Sequence, residues 1–210
     1  MLTAEDPLTR QQFQDEAITL LTGAIETTGT TLAWTLYDIS RQPRIELRLR
    51  EEVATVCGDR PLRYGDLEHL PYARRVLQEA IRTYGPAWLV TRTAARDIDL
   101  GGHLVPEGAV VWSPYLHQHD PDVFTDPDAF DPDRWTPENV SATRGSFLAF
   151  GDGRRKCIGE NFAWAELQII LATVLRTWQS FELKPTSGSP AQEMIVPETG
   201  ADTRPTPSGS

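Results

Sequence analysis

The spacing of apolar residues predicts three helices in the first part of the chain. Apolar side chains recur at three- and four-residue steps over residues 11–40, which is typical of one long helix. The same periodicity predicts helices over residues 45–56 and 72–83. Within the first helix, residues 26–31 combine β-branched side chains with a glycine, and their hydroxyls can compete for backbone carbonyls. A local distortion of the helix is therefore expected there.

The second part of the chain changes character several times. Short β-like runs separated by glycine turns over residues 90–111 predict a small sheet. Residues 119–144 are crowded with Asp and Pro, which favours successive turns, either an ordered meander or a floppy loop. A last strong helix is predicted over residues 158–178. The expected fold class is mainly α with small β-sheets, with one folded unit over residues 1–184 and a partly disordered tail over residues 185–210.

Composition narrows the classes of function. The chain has 40% hydrophobic and 24% charged residues, as an ordinary globular protein does. Its formal net charge of -10 argues against a nucleic-acid partner, because phosphate binding needs clustered Lys and Arg. No apolar run reaches about 18 residues and residues 1–10 lack the features of a signal peptide, so no membrane segment is expected. The two cysteines, Cys57 and Cys157, lie in very different settings, which favours a reducing cytoplasm over a disulfide framework.

The sharpest chemical feature is a glycine-rich loop with the sequence FGDGRRKCIG at residues 150–159. It delivers Cys157 to the start of an apolar helix, where backbone amides and the helix dipole stabilise a thiolate. The glycines allow the backbone to turn tightly and to approach a flat ligand. The basic run over residues 154–156 suits the edge of an anionic cofactor, and it is also a candidate for docking an acidic redox partner.

This loop resembles the haem-ligand signature of the cytochrome P450 family, Phe-x-x-Gly-x-Arg-x-Cys-x-Gly, and every fixed position is matched. The resemblance implies that Cys157 is the axial ligand of the iron of haem b (iron protoporphyrin IX), and that Arg155 pairs with a haem propionate. It assigns cofactor binding to Cys157, Arg155, Arg92, Phe150, Gly151, Gly153 and Gly159. The alternative for Cys157 is a free thiol in a basic surface loop.

Two further motifs carry the same resemblance. Glu79 and Arg82 lie three residues apart on one helix face, and Arg134 follows in the Phe-Asp-Pro-Asp-Arg-Trp segment. In the family, such a Glu-x-x-Arg pair is joined by an arginine of the meander, which implies a buried structural cluster rather than a solvated helix pair. Arg92 stands where family members often place a second propionate-binding arginine, and an exposed strand arginine is the alternative.

The unusual segment of the first helix is similar to the oxygen-activation segment of the family, Ala/Gly-Gly-x-Asp/Glu-Thr-Thr. The residues that match are Glu26 and Thr27, and the resemblance implies that they form a catalytic proton relay. Ala24 stands where the family most often has glycine, and its side chain would slightly narrow the groove in this segment of the helix. The alternative is a polar helix surface with a capping-type threonine.

Two other sites were weighed on the residues alone. His117 and His119 have a His-x-His spacing that could chelate zinc, but the chain has only four histidines and no further ligand cluster. Cys157 with a distant histidine could be a cysteine hydrolase, but a nucleophile needs an oriented base.

The resemblance covers residues 11–184 and matches the C-terminal half of the family's catalytic domain, in a bacterial-type member. It implies a haem-thiolate monooxygenase that inserts one oxygen atom of O2 into a lipophilic small molecule. Electrons would come from a ferredoxin or a reductase. Because only half of the domain is matched, the chain is expected to expose apolar helix faces. The alternative is a truncated, non-catalytic remnant with weak or no haem binding.

Overall fold

The computed structural model describes residues 8–139, 145–178, 180–184 and 194–198. The α-helices are α1 (Arg10–Arg41), α2 (Pro43–Cys57), α3 (Pro71–Tyr84), α4 (Pro114–Gln118) and α5 (Glu160–Thr177). The strands are β1 (Val90–Ala94), β2 (Ile98–Leu100), β3 (His103–Val105), β4 (Gly108–Trp112), β5 (Ser180–Lys184) and β6 (Met194–Glu198). Short 3₁₀ helices lie at Tyr64–His69, Pro132–Trp135 and Gly153–Arg155. The predicted class, mainly α with small β-sheets, is confirmed.

The long helices begin and end at residues that suit those positions. At the start of α1, the Thr9 hydroxyl accepts a hydrogen bond from the Gln12 backbone N–H at 3.2 Å, and the Gln12 side chain accepts one from the Thr9 backbone in return. Helices α2 and α3 each have a proline in the first turn, where its missing N–H costs no helical bond. The predicted bounds of these three helices are confirmed to within two residues.

The structure corrects three expectations about local elements. Helix α1 runs without interruption through the threonine-rich segment, so the predicted distortion is wrong. The hydroxyls bond carbonyls one turn earlier in the same helix, as at Thr31 to Thr27 O (2.8 Å) and Thr35 to Thr31 O (2.7 Å). Helix α5 begins at Glu160 rather than at residue 158 because a turn follows the cysteine. The short helix α4 was not predicted, because its five residues carry little periodicity.

Within the described residues, the β structure consists of three two-stranded antiparallel sheets. β1 pairs with β4, β2 with β3 and β5 with β6. Gly101 and Gly102, with φ of 62° and 88°, form the β2–β3 turn, where only glycine adopts such angles without strain. β6 falls within the segment predicted as a tail, and residues 185–193 and 199–210 of that segment lie outside the described residues. Residues 140–144 of the predicted meander lie outside them as well.

The hydrophobic core is built by α2, α3 and α5 with the C-terminal end of α1. Fully buried side chains include Ile39, Leu49, Val76, Leu77 and Leu171. Each such side chain, taken out of water, stabilises the fold by about 1.5–3 kcal/mol. This packing fixes the axes of the helices that flank the cysteine loop. No helix in the described part of the chain is both long and apolar enough to cross a membrane.

Helix α1 has two unlike halves. Its C-terminal half packs through small polar side chains, and Thr28, Thr31 and Thr35 are buried there. Its N-terminal half leaves large apolar side chains in solvent, as the sequence analysis expected. These are Phe13, Ile18, Leu20, Leu21 and Ile25, each more than half exposed.

An acidic side chain also joins α1 to α3. Asp38 on α1 is buried and shares a hydrogen bond with Tyr84, the last residue of α3. Burial raises the pKa of Asp38 to about 6, although this hydrogen bond and the charge of Arg41 act in the opposite direction. The Trp34 ring stacks on the Tyr84 ring at 4.4 Å between centroids, which holds the two helix ends together.

A buried ionic cluster ties α3 to the segment that leads to the cysteine loop. Glu79 and Arg82 have no exposed side-chain surface and form a two-pronged pair, with N–O distances of 3.0 and 2.9 Å. The Arg134 Nε lies 3.4 Å from the same carboxylate. The Asp131 backbone N–H and the Trp135 indole N–H donate to it at 3.0 and 2.8 Å. Glu79 therefore holds the 3₁₀ turn Pro132–Trp135 and its cap residue Asp131 against helix α3.

Backbone carbonyls complete the cluster. Arg82 donates to Gln118 O at 2.8 Å and to Ala129 O at 3.2 Å. Arg134 donates to Thr125 O at 2.6 Å and to Asp126 O at 3.0 Å. Buried guanidinium groups are tolerated only when such acceptors replace water. The two arginines thus bind four backbone carbonyls between residues 118 and 129.

We predict that Glu79→Gln lowers the free energy of unfolding by about 3–5 kcal/mol, because it strands two buried guanidinium charges. Urea unfolding followed by circular dichroism measures this change. The matched control is Asp133→Asn, which removes a half-exposed carboxylate that pairs with Arg48 and Arg75. The control should lose no more than about 1 kcal/mol. Equal losses in the two variants would contradict the prediction.

Candidate active site

The cysteine loop has a defined backbone. Gly151 and Gly153 have φ of 71° and 64°, in the region that favours glycine. Between them, the Asp152 carboxylate accepts the Gly153 N–H at 2.7 Å and caps the 3₁₀ turn Gly153–Arg155. The Cys157 N–H then donates to Phe150 O at 2.9 Å and closes the loop. The glycines predicted from the motif are thus the residues that allow this turn.

Cys157 is an exposed free thiol at the end of the loop, just before α5. A Cβ atom added to Gly159 would lie 3.9 Å from the Cys157 sulfur, so this glycine lies beside the thiol. Lys156, directly before Cys157, pairs with Glu160 at 2.6 Å and connects the loop to the first turn of α5. The other cysteine, Cys57, is buried in the helical core and is not near this site.

A cavity of about 420 Å³ opens at Cys157. It lies between the middle of α1, the chain after α3, the paired strands β1 and β4, and the cysteine loop. The wall is mostly apolar, with polar groups only at a few points. Its lining residues are Gly23, Thr27, Pro86, Ala87, Val90, Arg92, Val110, Trp112, Ala149, Phe150, Gly151, Asp152, Arg155 and Cys157.

Two arginines line the same cavity. Arg92 comes from β1 and Arg155 from the cysteine loop, and the two also line an adjoining cavity of about 460 Å³ with Thr91 and Thr93. The Arg92 guanidinium donates to Thr91 O at 2.7 Å. Within the described residues, neither guanidinium forms an ion pair with a carboxylate. Both therefore have N–H donors available for the carboxylates of a ligand.

The structure separates the two residues of the predicted relay. Thr27 lines the cavity, and its hydroxyl donates to Gly23 O of the preceding turn at 2.6 Å. Glu26 is exposed on the neighbouring face of α1 and is not among the lining residues. Thr27 is thus brought to the same cavity as Cys157, whereas Glu26 lies outside its wall.

Aromatic rings of the core pack against the cysteine loop. The Phe150 ring lies 5.4 Å from the Trp164 ring on α5 and 6.3 Å from the Phe147 ring, between centroids. Phe147 in turn meets Trp135, whose indole N–H donates to Glu79. The cysteine loop is therefore linked to the buried ionic cluster through packed rings.

Several residues of the site escaped the sequence analysis. An apolar wall of the cavity is formed by Trp112, Val110 and Val90. In the sequence, nothing except their place in the predicted sheet region marked these residues as part of a site. Trp135 was missed as a donor to Glu79, although its position directly after Arg134 offered a signal. The alternative zinc site is not supported: no metal-binding cluster occurs among the described residues. His119 instead bonds Tyr115 O through its Nδ1 at 2.9 Å.

The residues of the cavity fit a haem group. A thiol at one point of an apolar slot suits a metal at the centre of a flat macrocycle. Two unpaired guanidinium groups at the edge suit the two carboxylates that haem carries. The positive-φ glycines keep the loop free of side chains where a flat ligand would approach.

Comparison with known proteins gives one family and several curated relatives. The family model of cytochrome P450 matches residues 1–204. The chain is 42% identical over 188 residues to cyclooctatin synthase from Streptomyces melanosporofaciens, covering 89% of the chain and 41% of that protein. It is 44% identical over 170 residues to pentalenene oxygenase from Streptomyces avermitilis, covering 80% and 38%. A cyclooctat-9-en-7-ol 5-monooxygenase from Streptomyces melanosporofaciens is 35% identical over 196 residues, covering 90% and 42%.

The chain thus spans about two fifths of the length of the curated relatives that it matches. The family model nevertheless matches almost the whole chain, including every residue of the cavity at Cys157. The chain belongs to the cytochrome P450 family, as a bacterial-type member.

Proposed function

We propose that this chain carries the haem-binding part of a monooxygenase that inserts one oxygen atom of O2 into a lipophilic small molecule. The observation that carries the proposal is the single cavity lined by Cys157, Thr27, Arg92 and Arg155. Membership of the cytochrome P450 family implies a haem cofactor, O2 and an electron-donating partner. When bound, haem supplies the oxygen chemistry, and the residues of the chain hold and tune it.

Cys157 is the axial ligand in this proposal. Its sulfur lines the cavity, and the start of α5 lies three residues away, where the helix dipole favours negative charge. Arg155 and Arg92 bind the two carboxylates of the haem through charge-assisted hydrogen bonds. Phe150, Gly151, Gly153 and Gly159 shape the loop around the sulfur.

The haem type that we propose is haem b, which carries no covalent link to the protein. Attachment through thioether bonds needs cysteines beside the haem edge, usually in a Cys-x-x-Cys-His segment. This sequence has no such segment, and its second cysteine, Cys57, is buried in the helical core. Non-covalent binding then depends on the arginines and on the apolar walls.

Thr27 and Glu26 form the proton relay of the proposed reaction. Thr27 lines the cavity, so its hydroxyl can turn from Gly23 O towards a ligand there. Glu26 is exposed and can exchange protons with water. Proton transfer from Glu26 to the cavity therefore needs a water or a rotation of its side chain to reach Thr27.

The substrate class is proposed from the wall of the cavity and from the relatives. Pro86, Ala87, Val90, Val110 and Trp112 offer an apolar surface with few hydrogen-bonding groups. Two relatives are named for a hydrocarbon, pentalenene, and for an unsaturated alcohol, cyclooctat-9-en-7-ol. We therefore propose a largely hydrocarbon substrate of the terpenoid kind. A ferredoxin or reductase supplies the electrons.

A second candidate, a chain that does not retain haem by itself, is favoured by one observation. The N-terminal half of α1 forms part of the cavity through Gly23 and Thr27 but leaves large apolar side chains exposed. A helix that packs against the protein on only one side must become ordered when it binds a ligand, and this ordering costs free energy. Haem retention by the purified chain decides between the two candidates.

The first test is the absorption spectrum of the reduced, carbon-monoxide-bound chain after haem reconstitution. We expect the red-shifted band typical of thiolate ligation, and we expect Cys157→Ala to abolish it because the ligand is lost. Cys57→Ala is the matched control and should keep the band. No band in the unaltered chain would favour the second candidate, and a band that survives Cys157→Ala would refute the ligand assignment.

Removal of a cavity arginine should weaken haem binding. We expect Arg155→Gln to raise the dissociation constant for haem by about tenfold or more, because a charge-assisted hydrogen bond is lost. Arg154→Gln is the control, since this neighbouring arginine has the same charge and does not line the cavity. Haem titration followed by absorbance measures both constants. Equal effects in the two variants would show that general charge, and not the cavity, attracts the haem.

Product analysis tests the relay and the substrate class together. With haem, a ferredoxin system and pentalenene, we expect a product heavier by one oxygen atom. Thr27→Val should lower the amount of product formed per O2 consumed by about tenfold or more, because the hydroxyl that relays protons is lost. The amount of hydrogen peroxide released should rise. Thr22→Val, at an exposed position of α1, is the control. Unchanged product yield in Thr27→Val would exclude the relay.

A further inference from the structure

A second cavity in the described part of the chain is separate from the one at Cys157. It has a volume of about 770 Å³ and lies between the 3₁₀ helix Tyr64–His69, the start of α3 and the first half of α5. It shares no lining residue with the cavity at Cys157. Its volume is within the range of small-molecule sites, about 300–1,000 Å³.

An arginine without a polar partner lines this cavity. The Arg74 guanidinium lies over the Trp164 ring, with its carbon 3.3 Å from the ring centroid. It forms no hydrogen bond or ion pair with any described residue. Burial lowers the pKa of Arg74 to about 10, with the charge of Glu160 acting in the opposite direction, so the group is charged at neutral pH. A partly desolvated cation therefore lines the cavity with its N–H donors unused.

The neighbouring carboxylates do not satisfy Arg74. Glu160 lines the cavity, but it is engaged by Lys156 at 2.6 Å. Glu68 also lines the cavity, and its side chain is 80% exposed. The two glutamates make the surroundings acidic, which disfavours a multiply charged anion such as phosphate. A singly charged ligand group suits this site better.

A second donor on the same wall also lacks an acceptor. Trp164 is only 4% exposed, and its indole N–H is buried with no hydrogen-bond partner among the described residues. Buried indole N–H groups usually find a partner. The amide nitrogen of Gln168, beside Trp164, donates to Leu67 O and Leu70 O. This nitrogen therefore offers the Trp164 indole no acceptor. Arg74 and the Trp164 beside it thus each have a donor that lacks an acceptor among the described residues.

From these contacts we infer that this cavity binds a small organic monoanion, with its carboxylate on the Arg74 guanidinium and its apolar body against the Trp164 side. The apolar body is indicated by Leu67, Leu70 and Pro71, which line the cavity with Tyr64. A planar guanidinium presents parallel N–H donors that match the two oxygens of a carboxylate. The cavity shares no lining residue with the proposed haem site, although Trp164 also packs against Phe150 of the cysteine loop.

The test uses phenylacetate as the probe, with the whole chain and isothermal titration calorimetry. A ligand of this size is expected to bind in the low millimolar range. Phenylacetamide, which has the same shape without the charge, should bind about tenfold more weakly or worse. Acetate, which has the charge without the ring, should also bind more weakly because it buries little apolar area.

Arg74→Gln should weaken phenylacetate binding by about tenfold or more, while Arg44→Gln should leave it unchanged. Arg44 is an exposed arginine on α2 outside this cavity, so the control makes the same change of net charge. Trp164→Phe keeps an aromatic ring and should weaken binding less than Arg74→Gln. Circular dichroism confirms that each variant is folded.

Three results would overturn the inference: no heat up to about 20 mM phenylacetate, equal binding of phenylacetamide, or equal effects of Arg74→Gln and Arg44→Gln. Cys157→Ala distinguishes this site from the haem site. That variant loses the thiolate-type spectrum and should retain phenylacetate binding. Failure of the monoanion site would therefore leave the haem proposal untouched, and the reverse also holds.

Discussion

The carboxylate of Glu79 is the interaction on which the rest of this structure depends. A charge with no exposed surface is unfavourable unless every lone pair is used, and here Arg82, Arg134, the indole of Trp135 and a backbone N–H supply the donors. The arginines in turn need acceptors beyond this carboxylate, and backbone carbonyls such as Gln118 O and Thr125 O provide them. Each partner is thus required by another. Segments with little regular structure of their own are fixed because the helix offers a charge that must be neutralised.

The cysteine loop depends on this arrangement through packing. Trp135 touches Phe147, Phe147 touches Phe150, and Phe150 also packs on Trp164 of α5. Aromatic contacts of this kind contribute about 0.5–1.5 kcal/mol each beyond their buried area. They hold one side of a loop whose other side is open and whose glycines provide no side-chain contacts of their own. The position of Cys157 therefore depends on the core and the backbone hydrogen bond to Phe150, not on the loop alone.

The sequence predicted the long helices, the small sheets and the glycine turn, because each has a local pattern of apolar spacing or a residue with special backbone freedom. It also indicated Glu79, Arg82 and Arg134, which the structure brings together. It could not indicate the stacking of Arg74 on Trp164, since that contact joins two helices ninety residues apart in the chain. The distortion expected in α1 failed for a different reason. Threonine hydroxyls can bond the helix that carries them, and composition alone does not tell this from a break.

That threonine packing has a consequence for how α1 meets the core. Thr28, Thr31 and Thr35 are buried, yet each hydroxyl is satisfied by a carbonyl of α1 itself. These hydroxyls therefore cross the interface only by van der Waals contact, and they impose no hydrogen-bonding register on the neighbouring helices. Small shifts of α1 along or about its axis break none of these bonds. The alignment of the cavity-lining helix with the core is therefore set near its C-terminal end, where Asp38 and Trp34 meet Tyr84, and not by the buried threonine hydroxyls.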